Sequence, residues 1–258
     1  MKSLEGSMKK YELALETEKE FYGIKLYRIR ALISFSIVKK GDLGGYVQKE
    51  NNLSQDGNAW VSGNAQVFGD AQVYGNAWVY NDARVYGNAR VSDYARVYEN
   101  ARVYGNAWVY GNAWVYNDAR VYGNARVSDY AWVSGNARVY GNAWVSGNAQ
   151  VYGNAWVSGN AWVSGNARVY GNAWVYDDTQ VSKFYQCCSI TNLRYPFTSL
   201  PKGIQVGCEF HSMEVWKEKY RDISKKNNFS DELSDAYYQL MKAIRKVQKI
   251  ESQLDKKK

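Results

Sequence analysis

NDARVYGNARVSDYA, residues 81–95, decides the fold, because it consists of six-residue units and returns letter for letter at residues 117–131. Val occupies every sixth position over residues 61–181, and Ala occupies every sixth position over residues 59–173. Each unit therefore reads Ala, an outward residue, Val, a second outward residue and a two-residue turn such as Gly63-Asn64. Because side chains alternate between the faces of a strand, Ala and Val share the inner face.

The residue types of the unit predict one short strand and one corner. Small Ala and β-branched Val suit a narrow buried interior, and Gly and Asn tolerate the positive φ of a sharp bend. A six-residue period with a turn in each unit leaves no helical stripe. Three corners close an 18-residue coil, in agreement with the 36-residue offset of the long repeat. The sequence thus predicts an all-β fold, a parallel β-helix of about seven coils over residues 53–182.

Val61 followed by Ala65, and so on through the repeats, resembles the hexapeptide pattern of left-handed β-helix proteins. That family contains acyltransferases, carbonic-anhydrase-like proteins and non-enzymatic members, and it is usually trimeric. The resemblance implies a left-handed coil, whereas the usual crossover rule would give a right-handed one. The flanks, residues 26–61 and 204–216, resemble hexapeptide-repeat proteins of phages and prophages. This second resemblance implies a phage origin, hence a viral protein.

The repeats divide the chain. Residues 1–7 are interpreted as a leader introduced by cloning, 8–52 as an N-terminal cap, 53–182 as the β-helix, 183–228 as a small irregular module and 229–258 as a helix with a basic tail. A cap is required because an open β-helix end is an unpaired sheet edge.

The C-terminal helix is predicted over residues 230–254, with Ser230 as its N-cap. The helix also carries the apolar spacing of a coiled-coil seam, at Leu233, Tyr237, Leu240, Ile244 and Val247. Such a seam fits self-association of the protein and packing of the helix against its own module equally well.

Composition narrows the classes of protein. Two Pro, 23 Tyr and 10 Trp argue against disorder. The net charge of +8 lies mostly in residues 183–258, because the repeats carry eight Arg and eight acidic residues. The sequence contains no run of ~18 apolar residues that would predict a membrane span. Its three Cys are too few for a disulfide framework. We expect a soluble, cytoplasmic protein of an infected or lysogenic bacterium, without membrane partners. The basic tail is a solvated helix end or a site for an acidic partner.

Outward residues sorted by 18 give three faces, one of which we call the Arg face. Guanidiniums ~4.8 Å apart repel each other, by about 0.9 kcal/mol in water and ~3.5 kcal/mol at an effective dielectric of 20, which an anionic partner would relieve. The alternative is that the Arg side chains splay into solvent and lie over the Tyr rings. The predicted binding residues are Arg84, Arg102, Arg120, Arg138, Tyr86, Tyr104, Tyr122 and Tyr140.

The other two faces carry Trp, and we call them the first and second Trp faces. Since only Ala and Val fit inside, nine Trp are expected to point outward as an oligomer or partner surface. The first Trp face holds Trp60, Trp78, Trp114 and Trp132, the second holds Trp108, Trp144 and Trp162, and Trp156 and Trp174 continue the Arg face.

Enzymatic activity is not expected. Acyltransferases of the resembling family place a catalytic His on a coil and a long loop at a corner, whereas the one His here, His211, lies outside coils that carry no insertion. Cys187, Cys188, Cys208 and His211 have the composition of a zinc site, but adjacent cysteines rarely share one ion. We therefore predict neither a catalytic residue, nor a metal site, nor a cofactor.

Three functions remain open at this point. The first is a phage-type, non-enzymatic protein-binding or anion-sequestering role, for example anti-defence activity against a host component. The second is a structural or self-assembling virion or scaffold protein. The third is a degenerate hexapeptide acyltransferase. A homotrimer with parallel prism axes is expected, because Trp points outward on more than one face and the C-terminal helix carries the seam from Leu233 to Val247.

Overall fold

The computed structural model describes residues 9–190 and 193–256. The segment 1–7, interpreted as a leader, and Lys257 and Lys258 of the basic tail therefore lie outside the described residues. No helix in these two ranges is long and apolar enough to cross a membrane.

The repeat segment is a parallel β-solenoid, as predicted. Each unit contributes a two-residue strand whose Val pairs in register with the Val 18 residues away, for example Val121 with Val103 and Val139. The strands are β4 Trp60–Val61, β5 Gln66–Val67, β6 Gln72–Val73, β7 Trp78–Val79, β8 Arg84–Val85, β9 Arg90–Val91, β10 Arg96–Val97, β11 Arg102–Val103, β12 Trp108–Val109, β13 Trp114–Val115, β14 Arg120–Val121, β15 Arg126–Val127, β16 Trp132–Val133, β17 Arg138–Val139, β18 Trp144–Val145, β19 Gln150–Val151, β20 Trp156–Val157, β21 Trp162–Val163, β22 Arg168–Val169, β23 Trp174–Val175 and β24 Gln180–Val181.

These strands form three parallel sheets that enclose one Ala and Val core. The Arg face runs from β5 to β23, the first Trp face from β4 to β22 and the second Trp face from β6 to β24, every third strand in each case. The inward Ala and Val side chains are 0–1% exposed along the whole repeat. The inside and outside assignment made from the sequence is therefore confirmed, while the left hand of the coil remains a prediction.

The corners bend with positive φ at the first residue of each turn, which is Gly at most corners and Asn, Asp or Glu at the others. Gly63 has φ 66° and Asn81, one coil later at the same corner, has φ 60°. Asn side chains also stack along the corners, as in the bond from Asn106 Nδ2 to Asn124 Oδ1 at 3.1 Å. Such ladders link successive coils outside the core.

The N-terminal cap consists of strands, as expected for residues 8–52. Strands β1 Tyr11–Phe21, β2 Ile24–Ala31 and β3 Leu43–Val47 form an antiparallel sheet that continues the Arg-face sheet, with a short 3-10 helix at Glu50–Asn52. β3 already pairs in parallel with β5. Coiling thus begins before Leu53, the predicted start, and there are about eight turns instead of about seven. The six-residue count misses this turn because Val47 lies 20 residues before Val67, two more than one coil.

The structure corrects the prediction that residues 183–228 are irregular, because this segment forms a regular sheet and a helix. After a 3-10 helix at Phe184–Gln186, an antiparallel sheet contains β25 Cys188–Ile190, β26 Phe197–Leu200, β27 Gly203–Val206 and β28 Glu209–His211. Helix α1, Met213–Lys226, follows, with its first turn capped by Ser212, whose Oγ accepts from Val215 N. The strands are too short to show a clear alternation.

Helix α2 spans Asp231–Asp255, and Ser230 Oγ accepts from Leu233 N at 3.2 Å, as predicted. Most of the predicted seam packs on its own module: Tyr237 is 6% exposed, and Leu233, Leu240 and Ile244 contact the same core. Val247 is 57% exposed. From Leu233 to Ile244, the seam residues therefore pack within the C-terminal module.

Candidate functional site: the Arg face and its C-terminal cavity

The four Arg of the Arg face are held in one row by strand pairing. Arg102 pairs with Arg84 and Arg120, and Arg120 pairs with Arg138. Each is the first residue of a strand whose second residue is a core Val, so the side chain leaves the outer surface. All four are half-buried.

Beside the Arg row, the Tyr side chains form a parallel stack. Ring centroids of Tyr86, Tyr104, Tyr122 and Tyr140 lie 4.8, 4.9 and 5.0 Å apart with interplanar angles of 0–3°. Phe68 extends this stack at 5.0 Å. Burial raises the pKa of Tyr86, Tyr104 and Tyr122, against the opposing effect of neighbouring Arg. These phenols therefore stay protonated at neutral pH.

The Arg row is short of partners. Within the described ranges, none of the four guanidiniums makes a salt bridge or a side-chain hydrogen bond. Arg84 lies over Phe21 of the cap at 4.9 Å, and Arg138 lies over Trp156 at 4.8 Å. The expectation that the Arg side chains lie over the Tyr rings is thus wrong for these two. Their N–H groups remain available to an anion.

Trp60 was predicted to belong to an oligomer or partner surface. The structure corrects this prediction, because the Trp60 side chain is only 3% exposed. The cap covers it: its ring lies 6.4 Å from that of Tyr11 and 5.4 Å from that of Phe35. Tyr11 is in turn fixed by hydrogen bonds from its hydroxyl to the carbonyls of Glu50 and Leu53, both 2.7 Å. The indole points away from the Ala and Val interior, as predicted, but another segment buries it.

The other eight Trp lie against the solenoid surface. On the second Trp face, the indole N–H groups of Trp108, Trp144 and Trp162 donate to Ser hydroxyls of the preceding coil at 3.2–3.3 Å. Trp78, Trp108, Trp114, Trp144 and Trp156 are half-buried, whereas Trp132, Trp162 and Trp174 are 40–42% exposed. The exposed apolar surface is therefore smaller than nine outward Trp suggested.

The Cys and His side chains differ in their surroundings. Cys187 is buried at the end of the solenoid core, and burial raises its pKa to about 12. Cys208 is exposed, and His211 Nε2 lies 2.9 Å from Glu209 Oε2. Over residues 9–190 and 193–256, no three His, Cys, Asp or Glu side chains are grouped as metal ligands would be.

The sequence reasoning missed a cavity of about 290 Å³ at the C-terminal end of the Arg face. It lies where Ser158 interrupts the Tyr column between Tyr140 and Tyr176, and where β27 and β28 approach the solenoid. The interruption is visible in the sequence. The residues that line the cavity from the other side come from the module and carry no such signal: Gln205, Cys208 and Phe210.

In a comparison with protein families, the repeats match the family described as the YdcK beta-solenoid repeat. A search of curated proteins finds no match. The matched segments are residues 71–85, 83–99, 95–111, 101–117, 119–135, 131–147, 149–165, 161–177 and 167–183. The chain is therefore a repeat β-solenoid protein, and its coils are similar to the YdcK repeat.

Proposed function

We propose that this protein is a non-enzymatic binding protein whose Arg face holds an extended anionic partner. The observation that carries the proposal is a row of four half-buried Arg that have no carboxylate partner among the described residues and lie beside a stack of Tyr rings. At the ~4.8 Å spacing of strands, the row is about 14 Å long and straight. It matches regularly spaced negative charges on a flexible chain.

The other two faces have no such row. Arg90 and Arg126 on the second Trp face are separated by Trp108, and Arg96 on the first Trp face lies between Trp78 and Trp114. A partner with several charges would therefore find consecutive cations only on the Arg face. Arg is also suited to phosphate, because its planar guanidinium donates two parallel hydrogen bonds.

The test is binding of inorganic polyphosphate, a polyanion without bases, at increasing salt. We expect the logarithm of affinity to fall linearly with the logarithm of salt concentration. The slope should be about −3, because four contacts contribute about 0.7 each in single-stranded nucleic acids. Isothermal titration calorimetry measures it, and absence of binding at low salt would contradict the proposal.

A role in infection is part of the same proposal. The resemblance of residues 26–61 and 204–216 to phage proteins supports a partner in the host cytoplasm, such as a component of host defence that the protein occupies. Growth of a sensitive phage on a defended host should rise when the protein is expressed. It should not rise with a variant whose Arg face is reversed in charge.

A second candidate is a self-associating structural protein, here a homotrimer with parallel solenoid axes. It is favoured by Trp132, Trp162 and Trp174, which keep about two-fifths of their surface exposed, and by Val247 on helix α2. Multi-angle light scattering at micromolar concentration is expected to give three times the mass of 29.4 kDa. A stable monomer would contradict this expectation, and concentration-dependent polymers would support a self-assembling scaffold.

A further inference from the structure

The C-terminal half of helix α2 presents apolar side chains to solvent. Val247, Ile250 and Leu254 are 57%, 45% and 51% exposed, and Leu240 and Ala243 precede them on the same side of the helix. The spacing along these five residues, which we call the outer stripe, is 3-4-3-4. This is the spacing of the a and d positions of a coiled coil over two heptads, about 22 Å of helix.

The outer stripe differs from the side of α2 that packs on its own module. Tyr237, Met241 and Ile244 contact the core of the module, and Leu240 lies where the two sides meet, since it also contacts that core. At 3.6 residues per turn, the middle of the outer stripe lies roughly 110° around the helix from Tyr237, Met241 and Ile244. The helix therefore has one face for its module and an adjoining apolar face that is open to solvent.

A groove widens the surface beside the outer stripe. It has a volume of about 320 Å³ and lies between α2 and the start of the C-terminal module, where Phe184 and Tyr185 face Leu240, Ala243 and Val247. Phe184 is itself 57% exposed. Apolar side chains of a helix laid along the stripe would enter this groove, so the contact surface is larger than two heptads alone.

The charges that flank the outer stripe are complementary to those of a second copy. Lys246 precedes Val247 and Glu251 follows Ile250, which puts them at the g and e positions, on opposite flanks. Among the described residues, neither Lys246 nor Glu251 makes a salt bridge or a side-chain hydrogen bond.

These two charges also select a direction. In a parallel coiled coil, a g residue lies beside the e residue five positions later in the neighbouring helix, so Lys246 of one copy would meet Glu251 of the next. In an antiparallel pair, g positions face g positions and e positions face e positions. The e positions of the stripe are Ile244 and Glu251, so that arrangement would leave Glu251 without a cation.

We propose that the outer stripe joins copies of this chain through a parallel coiled coil of α2 helices. This inference rests on the second candidate function, self-association, and it assigns the contact to the helix instead of the Trp faces. Leu240 and Leu254 at a, with Ile250 at d, favour three or four strands, in agreement with a homotrimer. A lipid surface fits less well, because it favours a cationic rim around an apolar stripe, whereas Glu251 places a carboxylate along one flank.

The first test compares the full chain with the variant Val247→Glu, Ile250→Glu by sedimentation velocity at micromolar concentrations. The parent protein should sediment as an assembly and the variant as a monomer of 29.4 kDa, because burying two carboxylates in the stripe is costly. Both positions are exposed in the single chain, so the variant should keep the circular dichroism spectrum of the parent. Leu15→Glu with Ile37→Glu, at exposed apolar residues of the cap, is the matched control and should leave the assembly intact.

The second test addresses the parallel direction. Lys246→Glu places like charges on facing flanks and should raise the dissociation constant of the assembly about tenfold, and Glu251→Lys should do the same. The double variant Lys246→Glu, Glu251→Lys should restore the parent value, because it exchanges the two charges and keeps the pair. Lys249→Glu makes the same charge change at an exposed position away from the stripe and should have no effect.

The inference and the candidate functions fail separately. An assembly that persists in Val247→Glu, Ile250→Glu but is lost in the triple variant Trp132→Ala, Trp162→Ala, Trp174→Ala would overturn the inference and leave the homotrimer. A monomeric parent protein would overturn both, without bearing on polyphosphate binding by the Arg face.

Two further outcomes would also overturn the inference. A monomer that cosediments with phosphatidylserine vesicles, and no longer does so as Val247→Glu, Ile250→Glu, would assign the outer stripe to a lipid surface. Failure of the double variant Lys246→Glu, Glu251→Lys to restore assembly would exclude the parallel arrangement.

Discussion

Replacing Val121 with Asp is expected to lower the free energy of unfolding by more than about 4 kcal/mol, the range reserved for severe core defects. Val121 is 0% exposed and is enclosed by Val103 and Val139 in the neighbouring coils. The carboxylate would lose its hydration in a space lined by Ala and Val, where no donor is present to replace it. Thermal unfolding followed by circular dichroism measures the change.

Arg120→Asp is the matched control for Val121→Asp. It introduces the same side chain one residue earlier in β14, where the Arg is half-buried on the outer surface. The control should change the melting temperature by no more than a few degrees, because surface substitutions are usually within ±0.5 kcal/mol. Equal melting temperatures for Val121→Asp and the parent protein would contradict the placement of Val in the interior.

Replacing both Arg102 and Arg120 by Glu in one variant reverses two charges. This change is expected to weaken polyphosphate binding at least about 100-fold without loss of the fold. Two charge-assisted contacts worth about 1.5 kcal/mol each account for that factor, and repulsion by the new carboxylates adds to it. Both Arg lie in the middle of the row, on the outer surface. Tyr104→Ser, a residue type already present at Ser158, should weaken binding less, because it removes a wall and keeps the charge.

Arg90→Glu with Arg126→Glu controls for net charge. Both Arg are exposed on the second Trp face, where no consecutive Arg form a row. The control therefore changes the net charge as much as Arg102→Glu with Arg120→Glu does, but away from the Arg face. We expect less than about a threefold effect at 0.15 M salt, where the Debye length is ~8 Å. A loss as large as that of the Arg-face variant would show that only total charge matters, and unchanged binding by the Arg-face variant would shift attention to the Trp faces or the basic tail.

Periodicity made the solenoid and its three outward faces predictable. The inner and outer positions of Ala, Val, Arg and Tyr follow from alternation along a strand, and the rows follow from the 18-residue coil. Both are local properties that recur in every unit, so a single error in one unit would not change the result. Strands as short as β25 offer no such repetition, which explains why the sheet of the C-terminal module was missed.

What the sequence by itself determined is the coil: a narrow interior accepts only small or β-branched side chains, and twenty-one Val positions repeat that requirement without exception. The tertiary structure alone decided which outward residues stay accessible. Tyr11 and Phe35 of the cap bury Trp60, and Gln205 and Phe210 turn the end of the Arg face into a cavity. These contacts join segments that are distant along the chain, and their geometry depends on how each end packs on the solenoid, which no six-residue pattern encodes.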